Sequence, residues 1–135
     1  MTFWGDGHQV MYATSLEDTA RMVAYIALDQ DVPGGRFAFA GDRISVLDAA
    51  EMIGAQTGRV LQHRSLGTEA DLRAAHSRAL GDTSNPFLSV TLAYQLYMLA
   101  GQTNLQGLQN DRYPDVKLET FTQFAARALP RAAAV

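Results

Sequence analysis

The chain has 135 residues, 47% of them hydrophobic and 19% charged, and a single domain of this length can bury a substantial core. Its net charge is -3 and its basic residues form no run, which excludes the basic surface of a nucleic-acid-binding protein. The absence of cysteine excludes disulfides, thiolate zinc sites and a cysteine nucleophile. We therefore predict one cytoplasmic domain over residues 1–135, with neither nucleic-acid nor membrane partners.

The start of the chain contains part of a dinucleotide-binding motif. Residues 5–7, Gly-Asp-Gly, begin the G-x-G-x-x-G spacing, but Val10 occupies the position of the third glycine. A dinucleotide-binding loop also needs a preceding strand, so that the next helix N-terminus is aimed at the pyrophosphate. The four residues before Gly5 are too few for such a strand. We expect the chain to represent the second half of a larger fold.

Two strand and helix signals follow in succession. Residues 9–13 alternate weakly and predict a strand, and Ser15 with an acid three residues later predicts a helix over Leu16–Leu28. A break at residues 33–35, Pro-Gly-Gly, precedes a second predicted strand at residues 36–40. The predicted apolar stripe of this first helix is Leu16, Ala20, Val23 and Ala27.

The same pattern then repeats. Ser45 and Asp48 predict the start of a second helix, Gly58 suits its left-handed C-terminal position, and residues 60–64 form a third predicted strand. The predicted apolar stripe of this second helix is Val46, Ala50, Ile53 and Thr57.

The remainder of the chain is predicted to be helical. Thr68 begins a helix that extends to about Leu80, and residues 85–86, Asn-Pro, begin another that extends to Ala100. Thr120 with Gln123 begins a last helix, which ends before the alanine-rich tail. Its predicted stripe comprises Phe121, Phe124, Ala125, Ala128 and Leu129.

The helix that begins at Asn85 is unusually apolar. Between Phe87 and Ala100 only Ser89, Thr91 and Gln95 are polar. It is shorter than the roughly 20 residues that span a bilayer. We predict a buried helix, with a pocket wall or a partner-facing surface as the alternative.

Several segments, taken in order, resemble a known family. They are residues 5–7, residues 17–20 (Glu-Asp-Thr-Ala), the Phe-containing strand at 36–40, residues 57–59 (Thr-Gly-Arg) and residues 112–117 (Arg-Tyr-Pro-Asp-Val-Lys). This series is similar to the C-terminal half of isoflavone reductase-like and NmrA-like proteins, atypical relatives of the short-chain dehydrogenases. The resemblance implies an α/β fold, with the closing strands of a Rossmann-type sheet and a mostly helical substrate-side subdomain, but without the N-terminal dinucleotide-binding half.

The resemblance also implies a function for the parent protein. That function is hydride transfer from NADPH to a small organic substrate, with NADP held by the N-terminal Rossmann half and not bound tightly by this chain. The residues that carry cofactor binding and catalysis in this family lie upstream of the matched region, so we predict no catalytic or cofactor-binding residue here. One alternative is a non-enzymatic NmrA-like regulator that senses dinucleotides and binds a protein. Another is a standalone interaction or structural domain with a tendency to self-associate.

One segment formally satisfies the Y-x-x-x-K pair of ordinary short-chain dehydrogenases. It is residues 113–117, Tyr-Pro-Asp-Val-Lys. That pair acts only on a helix, where the lysine lowers the tyrosine pKa. Pro114 disfavours helical geometry at Tyr113, so we predict a turn and an extended segment with no catalytic role.

Other candidate sites are limited. The three histidines, His8, His63 and His76, lack metal-ligand spacing, and we predict no metal site. Aromatic and methionine side chains suit flat, apolar, phenolic ligands, because they provide large contact areas. The predicted substrate-pocket residues, each with a place in the hydrophobic core as the alternative, are Met11, Tyr12, Phe87, Tyr94 and Met98.

Overall fold

The computed structural model describes residues 1–32 and 34–130 and shows a mixed α/β chain. The predicted break at Pro33 and the alanine-rich tail after Pro130 fall at least partly outside the described residues. The strands are β1 (Thr2–Phe3), β2 (Val10–Ala13), β3 (Asp42–Ser45) and β4 (Arg64–Ser65). The helices are α1 (Leu16–Leu28), α2 (Val46–Thr57), α3 (Glu69–Ala79), α4 (Pro86–Leu99) and α5 (Phe121–Ala128), and a 3-10 turn covers Asn110–Arg112.

The four strands form two separate pairs. β1 lies parallel to β4, with Thr2 opposite Arg64 and Phe3 opposite Ser65. β2 lies antiparallel to β3, with Val10 opposite Ser45. Within the described residues each strand has one partner, so each has an edge without a paired strand.

The predicted helices are confirmed. Local side-chain chemistry specifies where they begin and end. At the start of α2 the backbone N–H of Ser45 donates to Asp48 Oδ2 at 2.8 Å, and the Asp48 N–H donates to Ser45 Oγ at 3.1 Å. Gly58 ends this helix with φ 67, as predicted. Thr68 and Thr120 cap α3 and α5 with the same reciprocal arrangement.

The strand predicted at residues 36–40 is wrong. Its polar backbone groups bond to a later loop instead of a neighbouring strand. The Gln109 N–H donates to the Ala38 carbonyl at 2.7 Å, and the side-chain amide of Asn110 brackets Ala40, with its Oδ1 3.1 Å from the Ala40 nitrogen and its Nδ2 2.7 Å from the Ala40 oxygen. These bonds replace a strand ladder.

The strand predicted at residues 60–64 is also largely wrong, because only Arg64 and Ser65 reach β1 and Val60 is exposed. The strand predicted at residues 9–13 is confirmed over Val10–Ala13.

Helix α1 turns a different face inward than its apolar stripe predicts. Leu16 and Val23 are exposed, whereas Met22 and Asp18 are buried. Asp18 Oδ2 accepts the backbone N–H of Glu119 at 2.7 Å, which ties the start of α1 to the segment before α5. This bond and the burial of Met22 fix the rotation of α1, and the apolar stripe faces outward.

The inward face of α5 is narrower than predicted. Ala125 is buried, and Phe121 and Leu129 are half-buried. Phe124 and Ala128 are exposed, and the Phe124 ring lies 6.2 Å from that of Phe121 and under the Arg127 guanidinium. Because α5 is short and packs mainly against α2, one side of its stripe stays uncovered.

Two hydrophobic clusters form much of the core, and they share no residue. The first joins α1 to the segment before α5 and contains Met22, Tyr113 and Val116, with Ile26, Phe37, Phe39 and Leu118 packed around them. The second joins α3 to α4 and contains Leu72, Ala79 and Leu92, with Trp4, Ala75, Leu96 and Leu99 packed around them.

Helix α4 is not the buried helix predicted from its composition. Leu92 is its one buried residue, while Phe87, Val90, Tyr94 and Tyr97 are exposed. α3 packs against one side of α4, and these four side chains stay uncovered among the described residues. In the described residues no helix is long and apolar enough to cross a membrane.

Candidate functional site

An apolar cleft lies between the N-terminal segment and α4. Its volume is about 310 Å³, within the range of small-molecule sites. Apolar and aromatic side chains dominate its walls. It is lined by Thr2, Phe3, Trp4, Gln9, Met11, Val46, Tyr94, Gln95, Met98 and Leu99.

Both walls of this cleft are fixed by the fold. Tyr94 and Met98 are four positions apart on α4, and Gln95 and Met98 are three positions apart, so Met98 adjoins both along the helix surface. The opposite wall comes from β1, β2 and the start of α2. β2 pairs with β3, which leads directly into α2, and β1 pairs with β4. The cleft is therefore formed where the second hydrophobic cluster meets the β2–β3 pair.

The glycines of the incomplete motif pack closely against side chains beside the cleft. Gly5 has φ 78, and a Cβ atom there would lie 2.7 Å from Leu99 Cδ1. Gly7 has φ 82, and its Cβ would meet Phe3 and Leu47 at 2.9 Å. These glycines allow the N-terminal segment to approach α4 and α2, which gives them a packing role in this chain.

The structure brings three of the five predicted pocket residues together. Met11, Tyr94 and Met98 line the cleft, whereas Tyr12 and Phe87 do not. Tyr12 points to the opposite face of β2 from Met11, because side chains alternate along a strand. Phe87 is 78% exposed in the first turn of α4, about 10 Å along the helix axis from Tyr94.

Seven of the ten lining residues were not predicted from the sequence, and Trp4 and Gln95 are the two most informative of them. Trp4, the one tryptophan of the chain, precedes any predicted element, and no sequence signal placed it near α4. Gln95 had a usable signal, since it is a polar residue at the centre of an apolar helix. Its Oε1 atom is buried and has no hydrogen-bond partner among the described residues. Such an atom is rare in native structures.

The lining chemistry suits binding better than proton transfer. Of the residues that line the cleft in the described part of the chain, none is a carboxylate, lysine, arginine, histidine or cysteine. A general base must lie within hydrogen-bond reach of the proton that it removes. A larger groove of about 510 Å³ between α2 and α5 contains Asp48 and Glu51, but Asp48 is engaged in the α2 cap.

The formal Y-x-x-x-K match lies away from the cleft. Residues 113–117 form a turn and an extended segment, as predicted, and Tyr113 is buried in the first hydrophobic cluster. Its hydroxyl donates to Asp29 Oδ2 at 2.8 Å, and the same oxygen accepts Arg112 Nε at 2.9 Å. Burial and the bond to Asp29 raise the pKa of Tyr113 above its usual range, opposite to the shift that a catalytic tyrosine requires.

Three helix starts do not fit the phosphates of a dinucleotide. The side chains of Ser15, Ser45 and Thr68 already accept backbone N–H groups at the starts of α1, α2 and α3. The first turn of each helix also carries acidic side chains, which repel a phosphate. We find no arrangement at these helix starts that would hold the pyrophosphate of NADP.

Comparison with protein-family models and with curated proteins gives no match to this chain. In residues 1–32 and 34–130 no three His, Cys, Asp or Glu side chains are grouped so as to hold a metal ion. The geometry of the cleft is accordingly the main basis for a functional assignment.

Proposed function

We propose that this chain is the substrate-side part of an NAD(P)H-dependent reductase, and that the cleft binds a flat, apolar, phenolic-type substrate. NADP and the catalytic groups belong to an N-terminal Rossmann half that resembles those of the isoflavone reductase-like and NmrA-like proteins. This chain contributes substrate binding and the closing strands of the sheet.

The cleft is the observation that carries this proposal. It combines aromatic side chains, two methionines and one buried polar group in about 310 Å³. A flat aromatic molecule would contact Tyr94 and Trp4 over large areas, and Met11 and Met98 can adapt to its outline. Since the Tyr94 hydroxyl is the one titratable group among the described lining residues, a reaction at this site would take its hydride from elsewhere.

The strand pairing supports a larger sheet. β1 and β4 pair in parallel over two residues each, and parallel sheets occur almost only as larger sheets covered on both faces. Two isolated pairs with free edges are marginal in water. A Rossmann half that added strands to these edges would cover them.

Binding of 2-naphthol by the isolated chain tests the substrate part of this proposal. Because Trp4 is the one tryptophan and lines the cleft, ligand binding is expected to change its fluorescence. A ligand of this size should bind with a dissociation constant of roughly 0.1–1 mM. We expect no heat of binding in a calorimetric titration with NADPH.

A pair of lysine substitutions on α4 provides the control. Met98→Lys places a charge in the cleft and is expected to weaken 2-naphthol binding at least about tenfold, because an apolar ligand cannot compensate a desolvated ammonium group. Val90→Lys places the same charge on an exposed part of α4 and should leave binding unchanged. Equal affinity in both variants, or micromolar NADPH binding by the chain, would contradict the proposal.

A second candidate function is a protein-interaction domain, favoured by the outer face of α4. Phe87, Val90, Tyr94 and Tyr97 are exposed at alternating spacings of three and four residues, which is the seam spacing of a coiled coil. No residue of α4 is charged, so a second copy of the chain would meet no like-charge repulsion along this helix. The occupant that fits this seam is α4 of a second copy.

Sedimentation velocity separates this candidate from the first. If the seam pairs two copies, the wild-type chain should form a dimer at tens of micromolar, and Val90→Lys should return it to a monomer. Leu28→Lys places the same charge on α1, where Leu28 is 83% exposed and lies outside the seam, and it should leave the dimer intact. A wild-type chain that stays monomeric at these concentrations rules out the interaction through this seam.

A further inference from the structure

We propose that a second copy of the chain completes the cleft, so that ligand binding in the cleft and pairing of two α4 helices strengthen each other. The seam on α4 and the cleft are then adjacent parts of one site. This coupling rests on the proposed function, because it requires that the cleft bind a ligand. It adds a wall to the site and makes the ligand a regulator of assembly.

Tyr94 belongs to both surfaces. It lines the cleft, and it is also one of the four seam residues, at 62% exposure. Val90, Tyr94 and Met98 follow each other at intervals of four residues, so their side chains form one ridge along α4. Val90 is the seam end of this ridge, and Met98 is the cleft end. A helix packed along the seam therefore contacts a side chain that also forms a wall of the cleft.

The cleft is open to solvent beside Tyr94. Of its described lining residues only Thr2 and Tyr94 are exposed, and the others are half-buried. A flat ligand that stacks on Tyr94 would therefore keep part of its apolar surface in water. A second α4 packed on the seam would cover that part, and apolar area removed from water stabilises the complex. The ligand in turn adds to the apolar surface that the second copy meets.

The seam is self-complementary in an antiparallel pair. Phe87 and Tyr97 lie at equal distances along the chain from Leu92, and so do Val90 and Tyr94. A two-fold axis at this point places Phe87 against Tyr97 of the second copy, and Val90 against its Tyr94. The first contact joins two aromatic rings, and the second places a small side chain on a ring. Antiparallel helix dipoles attract, and α4 has no charged side chain to oppose them.

The size of the seam predicts a weak pair that a ligand can shift. Its three aromatic residues are 57–78% exposed. Aromatic side chains of this exposure would bury roughly 600–1,000 Å² in a pair, which is the size of a transient interface. A stable complex generally buries more than about 1,200 Å². The apolar surface of two bound ligands would therefore be a substantial addition to the contact.

Sedimentation velocity of the wild-type chain with and without 2-naphthol tests the coupling. Interference optics record the protein independently of the absorbance of the ligand. Saturating 2-naphthol should lower the dissociation constant of the dimer at least about fivefold, the lower end of the usual coupling between two sites. By reciprocity, 2-naphthol should bind more tightly at about 100 μM chain than at about 1 μM, where the chain is monomeric.

Two lysine variants identify the seam as the surface that responds. Val90→Lys changes no lining residue, so it should bind 2-naphthol as the dilute wild-type chain does, and it should stay monomeric with or without the ligand. Leu28→Lys places the same charge on α1, outside the seam and the cleft, and should retain the dimer and its response to 2-naphthol. A Val90→Lys chain that dimerises when 2-naphthol is added would overturn the inference.

The dilute titration separates failure of the coupling from failure of the proposed function. If the wild-type chain binds 2-naphthol but forms no dimer, or forms one that the ligand does not strengthen, the coupling is overturned and the proposed function stands. If it binds no 2-naphthol at either chain concentration, both are overturned. These comparisons use the wild-type chain alone, so they do not depend on the folding of any variant.

Discussion

Replacing Leu72 by alanine is expected to lower the free energy of unfolding by about 2–5 kcal/mol, the range for a large apolar side chain removed from a packed core. Leu72 is 0% exposed and lies at the centre of the cluster between α3 and α4. Leu99 and Trp4 pack against that cluster and also line the cleft. We therefore expect weaker 2-naphthol binding as well, because the wall that Leu72 supports will shift.

An exposed leucine at the end of the same helix provides the control. Leu80 is 68% exposed, and its replacement by alanine should change the free energy of unfolding by no more than about 0.5 kcal/mol. Urea denaturation followed by far-UV circular dichroism measures both variants under the same conditions. Equal losses in the two variants would show that α3 is not packed on α4 through Leu72.

The helices could be predicted from the sequence because their ends depend on neighbouring residues. Ser45 and Asp48 satisfy each other's backbone groups across three positions, and Gly58 adopts the left-handed conformation that ends the helix. Such signals need no knowledge of the rest of the fold. The predicted start of α1 at Leu16 is confirmed for the same reason.

The orientation of the helices could not be predicted in the same way. The apolar stripe of α1 favoured Leu16 and Val23 as core residues, yet the helix buries Met22 and Asp18. The partner of Asp18 is the backbone of Glu119, about a hundred positions away, which local periodicity does not encode. The prediction that α4 is buried was wrong for a different reason. An apolar helix is buried only where other elements cover its surface.

The strand at residues 36–40 failed for a related reason. Its two phenylalanines suggested a sheet face, and Phe37 and Phe39 do pack against the first cluster. The backbone of the segment, however, is satisfied by Gln109 and Asn110 from a distant loop. Residue types that favour strands indicate half-buried extended chain, and they do not specify which groups complete the hydrogen bonds.

The cleft was predictable in part. Methionines and aromatics at the end of the first strand and on α4 indicated an apolar site, and Met11, Tyr94 and Met98 do line one cleft. Trp4 reaches the cleft through the turn at Gly5, whose close approach to Leu99 is visible only in three dimensions. Whether these residues bind a substrate remains a prediction, for which the fluorescence titrations are the test.

Replacing Met22 by alanine is expected to cost about 2–5 kcal/mol of unfolding free energy, as for Leu72, but to leave the cleft intact. Met22 is 0% exposed in the cluster with Tyr113 and Val116, and none of these residues lines the cleft. Because the two clusters share no residue, the losses in a double variant with Leu72→Ala should add to within about 0.5 kcal/mol.

The two core variants therefore test whether the cleft depends on one cluster or on the whole core. Folded Met22→Ala protein, measured below its denaturation midpoint, should bind 2-naphthol with wild-type affinity, whereas Leu72→Ala should bind it more weakly. Leu28→Ala, at a site that is 83% exposed on the same helix as Met22, controls for loss of a large apolar side chain from α1. If Met22→Ala weakens binding as much as Leu72→Ala, the clusters are coupled, and the cleft cannot be assigned to the packing of α4 on α3 alone.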